Sequence, residues 1–415
     1  MANVEFDLVI VGASVVGATL ACALKDSGLR IAIVESQPLE QGLDRQRAYA
    51  MSLLSADIFQ GLGVWPAMEQ DLGQYKTIQL SDGASPQVLF FESTDLERSY
   101  LGFAAPHRSL LKPLYAKLQN VPHLQWFCPA HVENIEQHSD RSTVTITMEG
   151  HTKNLQTKLV IGADGPNSFV RRQAQIKTRG WKYHQSCVTF VIKHTAPSND
   201  IAFERFWPTG PMGVLPLPGN RCQIVWTHPT AEAETLQQLP PEQFIAKLNH
   251  YTGHLLGEIE LLGDRLVFPV QLMQSDRYVQ PRLALVGDAA HGCHPVGGQG
   301  LNLGIRDAVA LAEVLLQAHR QGEDVGKLSV LQRYERWRKP ENLIILTMTD
   351  VLNRLFSNQI LPLIGLRRLS LLTMAGLYPV KVLVLKLMTG QLLKRPAVAK
   401  AVFPQHHLPS PNLLL

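Results

Sequence analysis

The sequence predicts an α/β protein: a parallel sheet with flanking helices, a second and mostly antiparallel sheet inserted into it, and a helical C-terminal tail. Three observations predict this class. A strand–helix–strand unit opens the chain, alternating apolar segments rich in Pro and Gly fill its middle, and helical patterns dominate its end. The length of 415 residues exceeds one compact core, and 45% hydrophobic with 18% charged residues is typical of a globular chain.

The first unit extends from residue 7 to residue 35. Asp7–Val11 contains a continuous apolar run of the kind buried in a parallel sheet, Ala18–Lys25 has a helical pattern, and Ile31–Glu35 is a second strand. Two parallel strands joined by a helix require a right-handed crossover. The unit is therefore predicted to be half of a Rossmann-like domain.

The middle of the chain has the two-residue period of strands. Thr77–Phe91 and Ser186–Val270 alternate apolar and polar residues between Pro and Gly turns, which predicts an antiparallel sheet. Leu283–Val286 then returns to a buried parallel strand, and Leu303–Ala318 is an amphipathic helix. The predicted division is 1–75, 101–180 and 276–345 for the first domain, 76–100 and 181–275 for the inserted substrate domain, and 346–415 for the tail.

The C-terminal tail is distinguished by its charge. Val351–Leu415 contains no Asp or Glu but eight Lys or Arg residues. Since the net charge of the whole chain is +4, the first 350 residues have a net charge of −4. Apolar residues interleaved with these basic ones suit a helix on an anionic membrane surface, here residues 351–400. An ordinary C-terminal helix packed on the body is the alternative. The helical pattern begins at Leu331, with breaks expected at Pro340, Pro362, Pro379 and Pro396.

Composition argues against several other classes. The five cysteines are scattered and form no C-x-x-C, which favours a reducing compartment and no metal site. Acidic residues precede the apolar segment near the N-terminus, where a signal peptide requires Lys or Arg. No charge-free run reaches the roughly 18 residues of a membrane-spanning helix. We therefore expect a cytoplasmic protein that is peripheral to a membrane and has no nucleic-acid partner.

The first segment with chemical content is Gly12–Gly17, between the first two strands. Gly12 permits a tight turn, and Gly17 lets the helix approach the strand. The helix N-terminus offers free backbone N–H groups and a positive dipole end to a pyrophosphate. Glu35 closes the second strand, where a carboxylate accepts from ribose hydroxyls. Ser14 stands where the pattern has its second glycine, and a turn without a ligand is the alternative.

Two further segments follow strands in the same way. Gly162–Arg171 follows an apolar strand, and Leu285–Asn302 contains Asp288 and a glycine-rich run before a helix. Asp288 is placed to accept from a ribityl chain, and the helix N-terminus would face negative charge developing on a flavin ring. Each segment alone is equally compatible with a loop that has a capping aspartate. Together, in order and each at a strand end, the three segments predict a flavin-dinucleotide site.

These motifs give the chain a resemblance to the flavoprotein monooxygenases of the para-hydroxybenzoate hydroxylase type. The Gly12 turn is similar to their dinucleotide motif apart from Ser14, and Gly287–Asn302 is similar to their second flavin motif. Within that family the chain most resembles the hydroxylases of ubiquinone biosynthesis (the UbiH, UbiF and Coq6 group). Asp164-Gly165 with Ser168 and Arg171 is similar to the central Asp-Gly motif of the para-hydroxybenzoate hydroxylase type. The residues that resemble the ubiquinone group are Leu101–Phe103 before Arg108, Glu204–Pro211, Leu215-Pro216, Asn353–Ser357, Gly376-Leu377 and Met388–Gly390.

The resemblance implies a Rossmann-like (GR2-type) FAD-binding domain and an FAD-dependent aromatic-ring monooxygenase. It implies that NAD(P)H reduces the flavin, that O₂ adds to form a flavin hydroperoxide, and that one oxygen atom reaches the ring of the substrate. That substrate would be a polyprenylated phenol in ubiquinone- or plastoquinone-type biosynthesis, within a quinone-synthesis complex. The difficult chemistry belongs to the cofactor, so no Ser/His/Asp set is expected.

The resemblance also implies roles for individual residues. Pro295 is expected beside the flavin ring and His291 is expected to relay the phenol proton, with a structural role as the alternative for His291 and for His294. Asp164 is expected to order the loop that joins the domains. The residues expected to hold FAD are Gly12, Ala13, Ser14, Gly17, Glu35, Arg47, Arg108, Val132, Asp164, Asp288, Pro295, Gly298, Gly300, Leu301 and Asn302.

Three other functions share these motifs. They are a flavin monooxygenase of a soluble aromatic or a polyketide, a flavin reductase of prenyl groups, and a non-catalytic flavin-binding subunit of a quinone-synthesis complex. The intact Gly297–Asn302 run favours catalysis, because it would hold the reactive ring rather than only the ADP half of the cofactor.

Overall fold

Two large sheets and a group of C-terminal helices make up the described part of the chain. The computed structural model describes residues 4–83 and 88–400. Each large sheet has eight strands, and a third sheet has three. The predicted class, an α/β fold with an inserted, mostly antiparallel sheet and a helical tail, is confirmed. Residues 84–87 of the first substrate-sheet segment and 401–415 of the tail lie outside the described residues.

The first sheet has a parallel centre. Its strands are β1 (Phe6–Val11), β2 (Ile31–Val34), β8 (Leu124–Phe127), β9 (His131–Gln137), β10 (Ser142–Met148), β11 (His151–Gly162), β17 (Val279–Gln280) and β18 (Leu283–Leu285). β1 pairs in parallel with β2 and β11, β2 with β8, and β11 with β18. Every residue of β1 and β2 is buried, as the continuous apolar runs predict for strands covered on both faces.

The ends of these strands bring the three glycine-containing segments together. Val11 at the end of β1 pairs with Gly162 at the end of β11, and Gly162 pairs with Leu285 at the end of β18. Parallel strands place their carboxyl ends at the same edge of a sheet, which is where ligands bind in such folds. The segments that follow the three strands therefore begin side by side, although long stretches of chain separate them in sequence.

The second sheet is antiparallel except for one pair. Its strands are β5 (Thr77–Asp82), β6 (Val88–Glu92), β12 (Thr178–His194), β13 (Ile201–Trp207), β14 (Gly210–Leu217), β15 (Arg221–Pro229), β16 (Ile259–Ser275) and β19 (His291–Gly292). β5 and β13 form the parallel pair. One face packs around the buried rings of Phe190, Trp226 and Phe244. The two-residue alternation leaves the other face to line a cavity.

The remaining elements are one small sheet and thirteen helices among the described residues. The small sheet contains β3 (Ala48–Ser52), β4 (Gly73–Tyr75) and β7 (Gly102–Pro106). The helices are α1 (Val15–Leu24), α2 (Leu39–Leu43), α3 (Leu53–Gly61), α4 (Trp65–Glu69), α5 (His107–Leu118), α6 (Phe169–Gln173), α7 (Thr230–Gln238), α8 (Pro241–Thr252), α9 (Gln299–Arg320), α10 (Leu328–Phe356), α11 (Leu361–Gly376), α12 (Tyr378–Met388) and α13 (Ala397–Lys400). Three short 3₁₀ turns occur at Ser93–Leu96, Gly287–Ala289 and Val296–Gly298.

Helix α10 continues through Pro340, so the break expected there was wrong. Tyr334, Arg338 and Asn342 are buried along one face of the helix on both sides of the proline. Packing of that face outweighs the roughly 3 kcal/mol that an interior proline costs. Pro362 and Pro379 do mark helix starts, because each lies in the first turn of α11 or α12, where its missing N–H has no intrahelical acceptor.

The tail helices pack on the second sheet through ion pairs with acids of the body. Arg367 Nε lies 2.8 Å from Asp82, with both side chains buried, and Lys381 Nζ lies 2.7 Å from Asp95. Leu371 and Leu385 are buried in the same apolar cluster as Phe206 of β13. The packing alternative for the tail is therefore correct for this face of α11 and α12.

The opposite face of the tail helices is apolar and exposed. Large exposed side chains of α11 and α12 include Leu366, Leu369, Leu372 and Leu383. Among the described helices, none is by itself long and apolar enough to cross a membrane. α11 and α12 pass that test only as a pair, and the pair is bent by 101°.

Candidate active site

A cavity of about 1350 Å³ opens between the two large sheets. All three glycine-containing segments line it, together with the free face of the second sheet and residues of α10, α11 and α12. Proteins with open parallel sheets bind ligands at this position, outside the carboxyl ends of the strands. The cavity is therefore the candidate active site.

The first segment is packed too closely for side chains. Gly12 has a φ of +99°, and a Cβ there would lie 2.5 Å from the carbonyl oxygen of Ala163. A Cβ on Gly17 would lie 2.0 Å from the carbonyl oxygen of Gly12. Ser14 is the N-cap of α1 and lines the cavity without a side-chain capping bond. The first N–H groups of α1, which lack intrahelical acceptors, consequently lie at the cavity.

Two carboxyl groups lie beside the cavity just after strands of the first sheet. Glu35 accepts a hydrogen bond from the backbone N–H of Ala13 at 2.8 Å. Asp288 lies in the 3₁₀ turn after β18, and its accessible surface faces the cavity. Loss of bulk water around Asp288 raises the pKa of its carboxyl, while the charges of His291 and Arg47 oppose that shift. Both carboxyl groups are placed to accept from hydroxyl groups of a sugar or ribityl chain.

The second segment connects the first to the third. Asp164 accepts from the Ser168 hydroxyl at 2.6 Å and from the Val170 N–H at 3.0 Å, which fixes the start of α6. Arg171 on that helix donates to the carbonyl oxygen of Ala289 at 2.7 Å. Asp164 thus orders the turn between β11 and α6 and also lines the cavity.

Asn302 anchors the third segment against the small sheet. Its side-chain oxygen accepts from the Ser52 N–H at 2.8 Å and from the Ser55 hydroxyl at 2.7 Å. Its side-chain nitrogen donates to the carbonyl oxygens of Ala50 and Gly298, both at 2.8 Å. These four bonds hold the N-terminus of α9, with Gly300 and Leu301, at the cavity.

Most of the residues predicted to form the site line this cavity. The predicted residues outside its lining are Ala13, Gly17, Arg108 and His291. Arg108 is half exposed and pairs with Asp44 at 2.9 Å. His291 is fully buried, and its Nε2 lies 2.6 Å from Asp307. This placement favours the structural alternative for His291, and its catalytic role stays a prediction. The lining residues are Gly12, Ser14, Glu35, Arg47, Val132, Asp164, Asp288, Pro295, Gly298, Gly300, Leu301 and Asn302.

Glu204 is a cavity residue that sequence reasoning did not single out as functional. It lies on β13 with its side chain among the cavity-lining groups, and it accepts a hydrogen bond from the Gly297 N–H at 3.3 Å. Burial raises the pKa of Glu204 to about 7, with the Gly297 bond acting in the opposite direction. A carboxyl group with such a pKa is suited to exchange a proton with a ring hydroxyl. The available signal was a carboxyl group beside Phe203 on a strand of the inserted sheet.

Comparison with known proteins identifies the family to which the chain belongs. Residues 5–344 match the family model described as an FAD binding domain. The chain belongs to the FAD-binding family of aromatic hydroxylases. A ubiquinone hydroxylase of Rhodospirillum rubrum is 36% identical to this hydroxylase over 93% of the chain and 90% of that protein. The 3-demethoxyubiquinol 3-hydroxylase of Escherichia coli is 33% identical over 90% of the chain and 95% of that protein.

Two further similarities concern a relative with no assigned function and the fold. An uncharacterised protein of Synechocystis sp. is 52% identical over 95% of each chain. The crystal structure of p-nitrophenol 4-monooxygenase from Pseudomonas putida superposes with a TM-score of 0.77 at 19% identity, covering 94% of this hydroxylase and 99% of that chain. The expected family, the fold, the FAD-dependent hydroxylase class and the cofactor are thereby confirmed.

The geometry of the hydroxylase fits FAD. Gly12 and Gly298 have positive φ, and a Cβ at either position would collide with a neighbouring segment, at Ala163 or Ala50, so only glycine lets these turns pack closely beside the cavity. The N-termini of α1 and α9 both reach the cavity, and helix N-termini favour anionic groups. Carboxyl groups for sugar hydroxyls stand nearby at Glu35 and Asp288.

Replacing Gly298 with Ala should weaken FAD binding at least on the order of tenfold. A Cβ at this position would lie 2.5 Å from the Ala50 Cβ, and the φ of +60° adds left-handed strain of about 1–2 kcal/mol. Quenching of flavin fluorescence on titration of the apoprotein measures the affinity. Gly322→Ala is the matched control, because Gly322 has a φ of +68° and a Cβ there would meet no heavy atom within 4 Å. Equal FAD affinity in the two variants would contradict this account of the loop.

Glu204→Gln should change how stability depends on pH. The folded state binds the Glu204 proton more tightly than the unfolded state, whose pKa is near 4.5. The associated stabilisation is complete below about pH 4.5 and is lost as the pH rises through about 7. The free energy of unfolding of the FAD-loaded wild type should therefore fall relative to Glu204→Gln between about pH 5 and about pH 7.

Urea unfolding across this pH range measures the difference. Gln keeps the length of the side chain and an oxygen that can accept from the Gly297 N–H. Glu258→Gln, at an exposed position, is the control and should follow the wild-type pH dependence. Parallel curves for the wild type and Glu204→Gln would show that the Glu204 proton is held no more tightly in the folded state.

Proposed function

We propose that this hydroxylase acts on the aromatic ring of a polyprenylated phenol in ubiquinone- or plastoquinone-type quinone biosynthesis, with NAD(P)H and O₂ as co-substrates. The observation that carries the proposal is the mixed lining of the cavity. The glycine-containing segments supply backbone and carboxyl groups (the polar end), and the second sheet and the tail helices supply apolar side chains (the apolar end). The two surfaces meet where Val296 packs in the same cluster as Leu371 and Leu385. A phenol with a long hydrocarbon chain has the same division into a polar and an apolar part.

The apolar end is built from two elements of the fold. The second sheet contributes Ile78, Leu80 and Phe91, and the tail helices contribute Met374 and Val384. A purely polar ring substrate would leave these side chains facing water, which is unfavourable by about 25 cal/mol per Å² of apolar surface. A hydrocarbon chain covers them.

The polar end supplies groups for cofactor and ring. We assign the ADP half of FAD to Gly12, Ser14 and Glu35, and its ring end to the segment from Pro295 to Asn302. Bound FAD supplies the oxygen chemistry. The side chains bind and orient the ring and exclude water, and Glu204 is placed to hold the ring proton. Further proposed FAD contacts are Ala13, Gly17, Arg47, Arg108, Val132, Asp164 and Asp288.

The names of the relatives support a role in quinone biosynthesis. The ubiquinone hydroxylase and the ubiquinone biosynthesis monooxygenases of Danio rerio, Rattus norvegicus and Homo sapiens each align with more than 90% of this chain. Their identities to it are 30–36%. Alignments of that coverage include most of both large sheets, which form the cavity. We extend their substrate class to this chain on that basis.

Turnover of a matched pair of phenols tests the proposal. Given a prenylated phenol, the FAD-loaded enzyme should oxidise NAD(P)H and form a hydroxylated product. Given the same ring without the chain, it should do so at least on the order of tenfold less efficiently, because each buried CH₂ contributes about 0.8 kcal/mol. Mass spectrometry of the product separates hydroxylation from uncoupled oxidation. Equal turnover of both phenols would favour a soluble aromatic substrate. Flavin binding without product from either would favour a non-catalytic subunit.

We also propose that the exposed face of α11 and α12 contacts an anionic membrane surface. Leu366, Leu369 and Leu372 are each more than half exposed there. Arg368 and Lys386 are exposed on the same helices, and the tail contains no acid that could offset them. Exposed leucines beside basic residues are typical of helices at a lipid interface.

Leu366→Glu combined with Leu369→Glu should reduce flotation with anionic liposomes at least on the order of tenfold, since each change replaces buried apolar contact by a repelled charge. Leu255→Glu is the control, because Leu255 is also exposed but lies outside the tail. The double variant should retain FAD and its turnover in detergent. Flotation that is unchanged, or that falls equally in the control, would exclude this face as the contact.

A further inference from the structure

A groove on the outer surface of α10 lies beside the apolar end of the active-site cavity. It is a shallow strip along one face of the helix, open to solvent on its outer side and lined almost entirely by carbon atoms. Leu343, Ile344 and Val351 are about half exposed in it and together form an exposed apolar patch. The complete lining is Leu343, Ile344, Thr347, Met348, Val351 and Leu352.

Met348 and Leu352 line the groove and the active-site cavity at the same time. They lie one turn apart on α10, and both are half-buried. The two side chains are therefore the wall between the cavity and the surface. Methionine has three flexible side-chain bonds and adapts to irregular contacts, so this wall can yield to a narrow chain.

We infer that the hydrocarbon chain of the substrate leaves the active-site cavity between Met348 and Leu352 and lies in the groove on α10. The inference rests on the proposed prenylated substrate. The ring would remain at the polar end of the cavity, and the chain would pass the apolar end and reach the surface. α10 rises about 1.5 Å per residue, so the groove from Leu352 to Leu343 is on the order of 14 Å long.

The chemistry of the groove suits a hydrocarbon rather than a peptide or a polar ligand. The lining of the groove includes one hydroxyl group, that of Thr347, and no charged residue. The groove adjoins the cavity at Met348 and Leu352, so a chain attached to a ring in the cavity can reach it. For this reason we favour the substrate chain over an unrelated lipid as the occupant. A chain in the groove would also shield Leu343 and Ile344 from water.

Two substitutions in the wall test the inference. Met348→Trp and Leu352→Trp should each fill the passage, and two variants are made so that one remains if the other fails to fold. Leu255→Trp is the matched control, because Leu255 is an exposed leucine outside the tail that lines neither the cavity nor the groove. FAD content verifies that each variant is folded.

The substrates are two phenols with the same ring, one with a single prenyl unit and one with a long polyprenyl chain, both supplied in detergent micelles. In the wall variants kcat/KM for the long chain should fall through KM, on the order of tenfold more than kcat/KM for the single-unit substrate. An equal fall for both substrates, or an unchanged value for the long chain, would overturn the inference. Wild-type enzyme that hydroxylates neither phenol would instead reject the proposed function.

A crosslinking measurement decides the path of the chain independently of turnover. The long-chain phenol carries a diazirine at its far end and is photolysed with the FAD-loaded wild-type enzyme. Labelling of peptides that contain residues 343–352 is expected, and Met348→Trp should suppress it. Labelling confined to α11, α12 or the second sheet, or no labelling at all, would place the chain elsewhere and reject the groove.

Discussion

A buried carboxylate, Asp307 of α9, holds the active-site segment to the helices behind it. Its oxygens contact His291 at 2.6 Å, Arg338 at 2.8 Å and the Asn342 amide at 3.0 Å, and one of them accepts from the Gly287 N–H at 3.2 Å. Burial acts to raise the pKa of Asp307, but the charges and hydrogen bonds of His291 and Arg338 outweigh it and hold the pKa well below its usual range. Breaking such a buried pair typically costs about 3–5 kcal/mol.

The position of Asp307 makes that cost relevant to function. Gly287 and His291 flank the cavity residue Asp288, while Arg338 and Asn342 belong to α10. The same helix continues to Met348 and Leu352, which also line the cavity. One buried charge therefore connects the turn that contains Asp288 to a helix that contributes apolar lining. This arrangement also accounts for His291, which is bound within the network rather than directed into the cavity.

Basic residues of the tail lie both on the face of α11 and α12 that packs on the body and on the exposed face. Arg367 pairs with Asp82 of β5 and Lys381 pairs with Asp95 of the 3₁₀ turn after β6, so the two pairs attach the tail helices to the body beside the cavity. Because the tail contains no Asp or Glu, no nearby acid of the tail can pair with Arg367 or Lys381 instead. Exposed leucines then occupy the outward face, where Arg368 and Lys386 are the basic residues of α11 and α12 that remain exposed.

The sequence by itself determined the features that depend on local pattern. Continuous apolar runs identified β1, β2 and β18 as buried strands, and the glycine-containing segments after β1, β11 and β18 predicted the dinucleotide site. Two-residue alternation predicted the inserted sheet. Only the tertiary structure decided the features that arise between distant segments. The continuation of α10 through Pro340 depends on a buried face, and the raised pKa of Glu204 depends on burial near Gly297, 93 residues away. In each case the free energy comes from desolvation and long-range contacts, which the order of residues along the chain does not display.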